Sequence, residues 1–341
     1  MGAPPFVTRG LAAVDRVQRS NRILGPAYAV TKKVGDDNGN LFVVALGWYG
    51  FTAIYPLLLF VITVFGYIGA ESLGTGVVNT LHQFPLIGNQ FTVTHGGSNL
   101  HGSPAALVIG LVGLVYGAQG VTQTAVQTMA TVWNVPRNER PGFAPRLARS
   151  LAGLAIIGGT FLLNSFLASL AAARGAAMPV RIVVIVGLAV LNIALFAAAF
   201  RVLTPGQRGF RQFVPGAVLA GLGFTALITV GSALVQHQLR HSSSTYGSFA
   251  AVIGVVAFLL LLAKLTVYSA ELNPVLARHL WPRALVGSDP TEADRRVLRA
   301  EAHETRQRDD EQIDVRFEGG KAEGSNGDAP KEPARARGVR E

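Results

Sequence analysis

The sequence predicts an all-α, polytopic membrane protein with six transmembrane helices and both termini in the cytoplasm. Three observations carry that prediction. Half of the 341 residues are hydrophobic and only 15% are charged, whereas a soluble chain carries about 25% charge. The charged residues crowd the two ends of the chain. The basic residues between the apolar stretches alternate from one link to the next.

About 20 apolar residues cross a hydrocarbon core of roughly 30 Å. Six stretches meet that length, at about 41–69, 105–133, 147–173, 182–200, 213–235 and 249–271. The first contains Pro56, which cannot donate to the carbonyl of Thr52, so a bend is expected there. The chain therefore divides into a cytoplasmic segment 1–40, a transmembrane domain 41–283 and a charged tail 284–341.

Orientation follows from the links. Residues 1–40 hold six Lys or Arg, and the tail from Asn273 holds thirteen. The link after the first span has none. The next holds Arg137, Arg140, Arg146 and Arg149; then come Arg174 and Arg181; then Arg201, Arg208 and Arg211; then Arg240 alone. Rich segments alternate with poor ones, which places both termini and the second and fourth links inside. The net charge of +10 is explained by this topology, without nucleic acid as a partner.

Residues 8–33 space Leu11, Val14, Val17, Ile23 and Leu24 among arginines, the pattern of an amphipathic helix in the membrane interface. No removable signal peptide is expected in residues 1–40. The outer loop, 71–104, has room for a short surface helix in "VVNTLHQFPLIGNQF". Residues 291–311 have helical character, and the chain beyond about 319 has a disordered composition.

The second span places Gly110, Gly113, Gly117 and Gly120 on one face, with Gly113 and Gly117 forming a GxxxG pair. Small residues let two helices approach closely, within the chain or between copies, so an oligomer through the Gly113/Gly117 face is one expectation. Gln119, Gln123 and Gln127 form the adjacent stripe, either as interhelical hydrogen-bonding groups or as one wall of a polar cavity. Leu111, Val115, Met129 and Val132 fall on the opposite, lipid-directed side. Asn164 and Asn192 add single polar groups to the third and fourth spans.

The sixth span contains Lys264, with Tyr268 and Glu271 following on the same face. A charge at mid-bilayer costs roughly 2.5–3.5 kcal/mol on insertion scales. Between residues 38 and 270 the only acids are Glu71 and Glu139, so Glu271 is the candidate if Lys264 has an anionic protein partner; the glutamine stripe, a freed backbone carbonyl or an anionic ligand are the alternatives. The two lie about 10 Å apart along the axis, at ~1.5 Å per residue. Lys264, Tyr268, Glu271, the three glutamines and Pro56 are thus the candidate lining of a polar cavity.

Enzyme chemistry finds little material. No cysteine is present, and no nucleotide-binding, hydrolase or HExxH motif occurs. His82, His95 and His101 follow no metal-ligand spacing. No cofactor, metal or catalytic residue is expected.

Four segments carry a resemblance. "GDDNGNLFVVALGWYGFTAIYPLLLFVITVFGYI" and "ALVIGLVGLVYGAQGVTQTAVQTMATVWNVP" resemble the first two spans of the YihY/BrkB membrane protein family. "FRVLTPGQRGFRQFVPGAVLAGLGF" and "STYGSFAAVIGVVAFLLLLAKLTVYSAELNPVLAR" are similar to its fourth-to-fifth link and its last helix. The family's usual Tyr pair in the first span reads Trp48-Tyr49 here. The resemblance implies a bacterial inner-membrane protein that handles or exports an envelope lipid or a small solute. The charged tail and the interfacial helix leave a scaffold or assembly factor of the envelope as the alternative role. The family's older ribonuclease label finds no supporting residues. Membrane lipids are the implied partners, and an anionic lipid or small molecule the implied ligand.

Overall fold

The computed structural model describes residues 21, 23–67, 104–172, 178–239, 247–285 and 290–317. Among them there is helix and no strand. A short helix, α1 (Leu24–Asp36), precedes six long ones: α2 (Gly39–Tyr67), α3 (Pro104–Val132), α4 (Phe143–Ala172), α5 (Met178–Leu203), α6 (Val214–Leu239) and α7 (Gly247–Ala277). A further short helix, α8 (Glu292–Glu304), follows. Each long helix covers one apolar stretch of the sequence. Among the described residues, three segments are long and apolar enough to cross a bilayer by length and composition: Ile182–Leu203, Phe210–Ile228 and Val252–Ala277.

The long helices form a ring in chain order, with α7 closing against α2. Neighbours run antiparallel, and close glycine contacts fix their register. A Cβ on Gly113 would lie 2.8 Å from the Pro56 ring, and one on Gly117 would lie 2.8 Å from the Ala53 Cα. Gly120 faces the ring of Tyr49 in the same way. The GxxxG stripe of α3 is therefore filled by α2 of the same chain. The α2 helix continues through Pro56. Gly221 of α6 packs on the backbone of Ile193, and Gly223 on Leu265 of α7.

Polar groups stitch the ring where it is apolar. Asn164 Nδ2 donates to Asn192 Oδ1 at 3.0 Å, and Asn192 Nδ2 donates to Thr225 Oγ1 at 3.1 Å. Thr225 Oγ1 donates in turn to the Gly221 carbonyl. This chain joins α4, α5 and α6, and satisfies amides that would be costly to leave unpaired in an apolar setting.

One end of the ring gathers the start of α2, the end of α3, the start of α4, the end of α5, the start of α6 and the end of α7. The main packed core lies there. Val126, Met129, Val132 and Trp133 of the α3 end meet Phe200, Leu203, Phe213 and Ala217. Met129 and Val132 are thus buried, where a lipid-directed face was expected, because α5 and α6 converge on α3 at this end. Farther along, Leu111, Val115 and Tyr116 remain exposed, as do Val183 and Val186 on α5. An apolar exterior of this kind matches a lipid surround.

Helix α1 lies against α7 rather than alone on a surface, burying Ala29, Val30 and Val34 against Val275 and Val297. Residues 1–20, the outer loop with its three histidines, and residues 318–341 lie outside the described residues.

The glycine contacts give a stability prediction. Gly117→Ala should cost about 1–3 kcal/mol, because its methyl meets backbone that cannot yield. Gly159→Ala, which meets nothing within 4 Å, should be neutral or stabilising by up to about 1 kcal/mol. Thermal unfolding of the two variants in detergent, followed by circular dichroism, measures the contrast.

Candidate functional site

The turn between α1 and α2 builds the centre of the site. Asn38 sits at φ 53°, a left-handed conformation that asparagine tolerates better than most residues. Gly39 follows because a Cβ there would lie 2.8 Å from Val34 Cγ1 and 3.3 Å from Val267 Cγ1. This tight reversal holds the last turn of α1 beside α7. It also keeps Lys33 and Asp37, one turn apart, inside the protein.

Lys33 is fully buried. Its Nζ donates to Asp37 Oδ2 and, at 3.1 Å, to the Val132 carbonyl at the end of α3. Glu271 Oε2 of α7 lies 3.1 Å away as an ion-pair partner. One ammonium, with three protons, thus faces oxygens from α1's own exit, α3 and α7. Burial works to lower the Lys33 pKa. The charges of Glu271 and Asp37 outweigh it, and the pKa is raised. Its contribution to stability is present below the ordinary lysine range and is lost only as pH rises through the raised value. Lys33 is therefore charged throughout neutral pH. Among the described residues, Glu271 Oε1 and Asp37 Oδ1 are buried without a hydrogen-bond partner. The pocket gathers two carboxyl groups around one ammonium.

A second layer covers this one. Asp294 of α8 accepts from Lys32 Nζ at 2.8 Å, Arg283 Nε at 2.6 Å and the Ala284 N–H at 2.8 Å. It also closes a capping box with Thr291. Arg283 Nη2 reaches on to Asp36 at 2.7 Å. Burial pushes the Asp294 pKa up, but these donors outweigh it and the carboxyl titrates well below its usual range. Stability from this clamp is complete above the ordinary carboxylate range and falls away in acid. Glu304, at the far end of α8, meets Arg140 at 2.6 Å and Asn134 Nδ2 at 3.1 Å. Residues 292–304 are thus helical and docked on the ring's charged end.

Asn273 sits on the same stretch of α7 as Glu271. Its Oδ1 accepts the Gly216 N–H at 2.7 Å, one of the first-turn donors of α6 that has no partner within its own helix. A Cβ on Gly216 would collide with the Ser269 carbonyl. The Pro215-Gly216 and Glu271-Leu272-Asn273 motifs are therefore halves of one contact.

The sequence-predicted residues are not brought together. Lys264 is exposed, Tyr268 half-buried and Glu271 buried along a single stripe of α7. The reason is coverage: α1 crosses the stripe at Glu271, and at Lys264 its nearest aromatic neighbour is the Tyr268 ring, 5.7 Å from Nζ. Of the partners considered for Lys264, Glu271 is taken by another group: the ammonium beside it is that of Lys33. On α3, Gln119 and Gln123 are half-buried and Gln127 is exposed, while Pro56 is half-buried against Gly113. Lys33 and Asp37 were missed because residues 1–40 read as a surface segment. A lysine and an aspartate four apart, just before Asn-Gly, were the available signal.

Fold and site together define a helical integral membrane protein with an ionised cluster buried at one end of its ring. The chain belongs to the Virulence factor BrkB family, whose model matches residues 30–291 and so takes in Lys33, Asp37, Glu271 and Asn273. No curated protein and no solved structure matches the chain.

Glu301 supplies a pH test of the second layer. Burial, then the carboxylates of Asp36 and Asp37, push its pKa from 4.5 up to about 7. The folded state then holds this proton more tightly than the unfolded chain does, so stability falls as pH rises from 4.5 to 7. Glu301→Gln should match the native protein near pH 4.5 and melt higher at pH 8. A constant gap across that range would contradict the assignment.

Proposed function

We propose that this chain is a six-span protein of the bacterial inner membrane, with both termini cytoplasmic, that handles or exports an amphiphilic or anionic molecule. The arginines of the second and fourth links cluster at the same end of the ring as α1 and α8, which supports the cytoplasmic assignment of that end. The observation that carries the functional reading is the buried Lys33–Asp37–Glu271 cluster. A bundle that needed only stability would do at least as well with apolar residues of equal volume. Lys33 and Asp37 lie just before the first span and Glu271 at the end of the last, which puts these ionisable groups at the mouth of a route for ions or charged solutes.

In this reading the cluster forms the inner mouth, whose closure depends on α1 staying paired to α7. Lys264, exposed near the middle of Val252–Ala277, meets the anionic headgroup of an amphiphile held against α7. Gln119, Gln123 and the Pro56 segment offer polar groups along the route.

A scaffold role is favoured by one feature, the charged tail, in which residues 318–341 carry five basic and five acidic side chains. Since α8 and the following residues to 317 dock on the ring, a chain ending at Phe317 removes that tail without uncovering the site. A transport protein should keep working after this truncation, whereas a scaffold should fail.

The direct test uses proteoliposomes containing fluorescent phosphatidylglycerol, with dithionite access reporting movement between leaflets. The native protein should accelerate movement. Lys264→Met should slow it by at least tenfold with unchanged thermal unfolding. Native-like movement in Lys264→Met, or none in the native protein, would reject the reading.

A further inference from the structure

Beside the acid-rich cluster lies its opposite. Trp133, at the end of α3, is buried and carries two guanidinium groups against its indole. The Arg208 Cζ is 4.5 Å from the ring centroid and the Arg278 Cζ is 5.6 Å away. Phe213 closes the edge of the ring at 5.6 Å in a T-shaped contact. Arg278 Nη2 donates to the Trp133 carbonyl at 2.9 Å. Three chain segments converge here: the α3 end, the link between α5 and α6, and the turn after α7.

The donors at this point exceed the acceptors. Among the described residues neither arginine has a carboxylate within ion-pair distance, although Arg140, Arg283 and Arg295 all do. Arg208 Nε and Trp133 Nε1 are buried donors without an acceptor. Buried N–H groups are rarely left so. Glu139 and Asp37 are near enough to act through their fields but form no ion pair with Arg208 or Arg278. Burial, and then the neighbouring Arg278 charge, draw Arg208 below its usual pKa, yet a guanidinium stays protonated.

Two guanidiniums steadied on one aromatic platform suit a tetrahedral oxyanion, since arginine's planar fork matches phosphate oxygens. We infer that Arg208, Arg278 and Trp133 form a phosphate-binding site at the charged end of the ring, open to a phospholipid headgroup or to a free phosphate group. The inference does not require transport and would survive failure of the functional reading. It concerns neither Lys264 nor Glu271.

The full-length protein tests it in two arms. In the first, inorganic phosphate is titrated in uncharged detergent and the melting temperature recorded, with chloride at equal ionic strength as control. In the second, native mass spectrometry counts phosphatidylglycerol retained against phosphatidylcholine. Arg208→Gln/Arg278→Gln should abolish the phosphate-specific shift, the preference for phosphatidylglycerol, or both, whichever the native protein shows. Loss in the phosphate arm alone assigns a free phosphate group, and loss in the lipid arm alone assigns a headgroup. Arg211→Gln, which removes an exposed charge on the neighbouring turn, should change neither. If the double variant fails to fold, Arg208→Gln alone is used, because that side chain has no acceptor among the described residues to lose. The inference is overturned if the native protein shows neither preference, or if Arg211→Gln loses as much as the arginine variants.

Discussion

A single ammonium group organises the charged end of this protein. Lys33 reaches Asp37, the last turn of α3 and Glu271 of α7 at once. It can do so only because Asn38 and Gly39 reverse the chain immediately afterwards. Losing Lys33 would leave its buried carboxyl partners without their cation, at a cost of about 3–5 kcal/mol. The lysine therefore fixes where α1 lies, where α2 starts and how α7 is covered. The outer layer of Arg283, Asp294 and Lys32 then binds α8 across the same place.

Two neighbouring polar regions of opposite character result. One gathers two carboxyl groups around Lys33; the other has Arg208 and Arg278 on Trp133. Both lie where the helices pack most tightly, while the opposite stretches of α3 and α5 present bare apolar side chains outward. Burying so much charge at one end is poorly suited to stability alone. It suits a protein that meets charged solutes or headgroups on that side.

The helical class, the positions of the long helices and the membrane character were legible in hydrophobic run length and in the charges between runs. These signals are local, and each depends on a few neighbouring residues. The close fit of Gly113 and Gly117 was legible as a small-residue stripe, though its partner, Pro56 and Ala53 of α2, was not. The site was harder. Lys264 and Glu271 share a stripe, so spacing alone pairs them, but burial along that stripe depends on α1, which arrives from some 240 residues earlier in sequence. Lys33 carried no apolar flank long enough to announce its burial. Its role is set by a turn at Asn38 and a carbonyl on α3, neither of which periodicity records. Asn164 and Asn192 were recognised as polar groups within apolar helices, but only the ring geometry shows that they bond to each other.

The most direct test of this account is a double-mutant cycle on unfolding free energy, with Lys33→Met and Glu271→Leu made singly and together, beside the same cycle for Lys264→Met and Glu271→Leu. The structure predicts a coupling of about 2–3 kcal/mol for the first pair and a value near zero for the second. Coupling concentrated in Lys264 and Glu271, with Lys33 independent of Glu271, would contradict it.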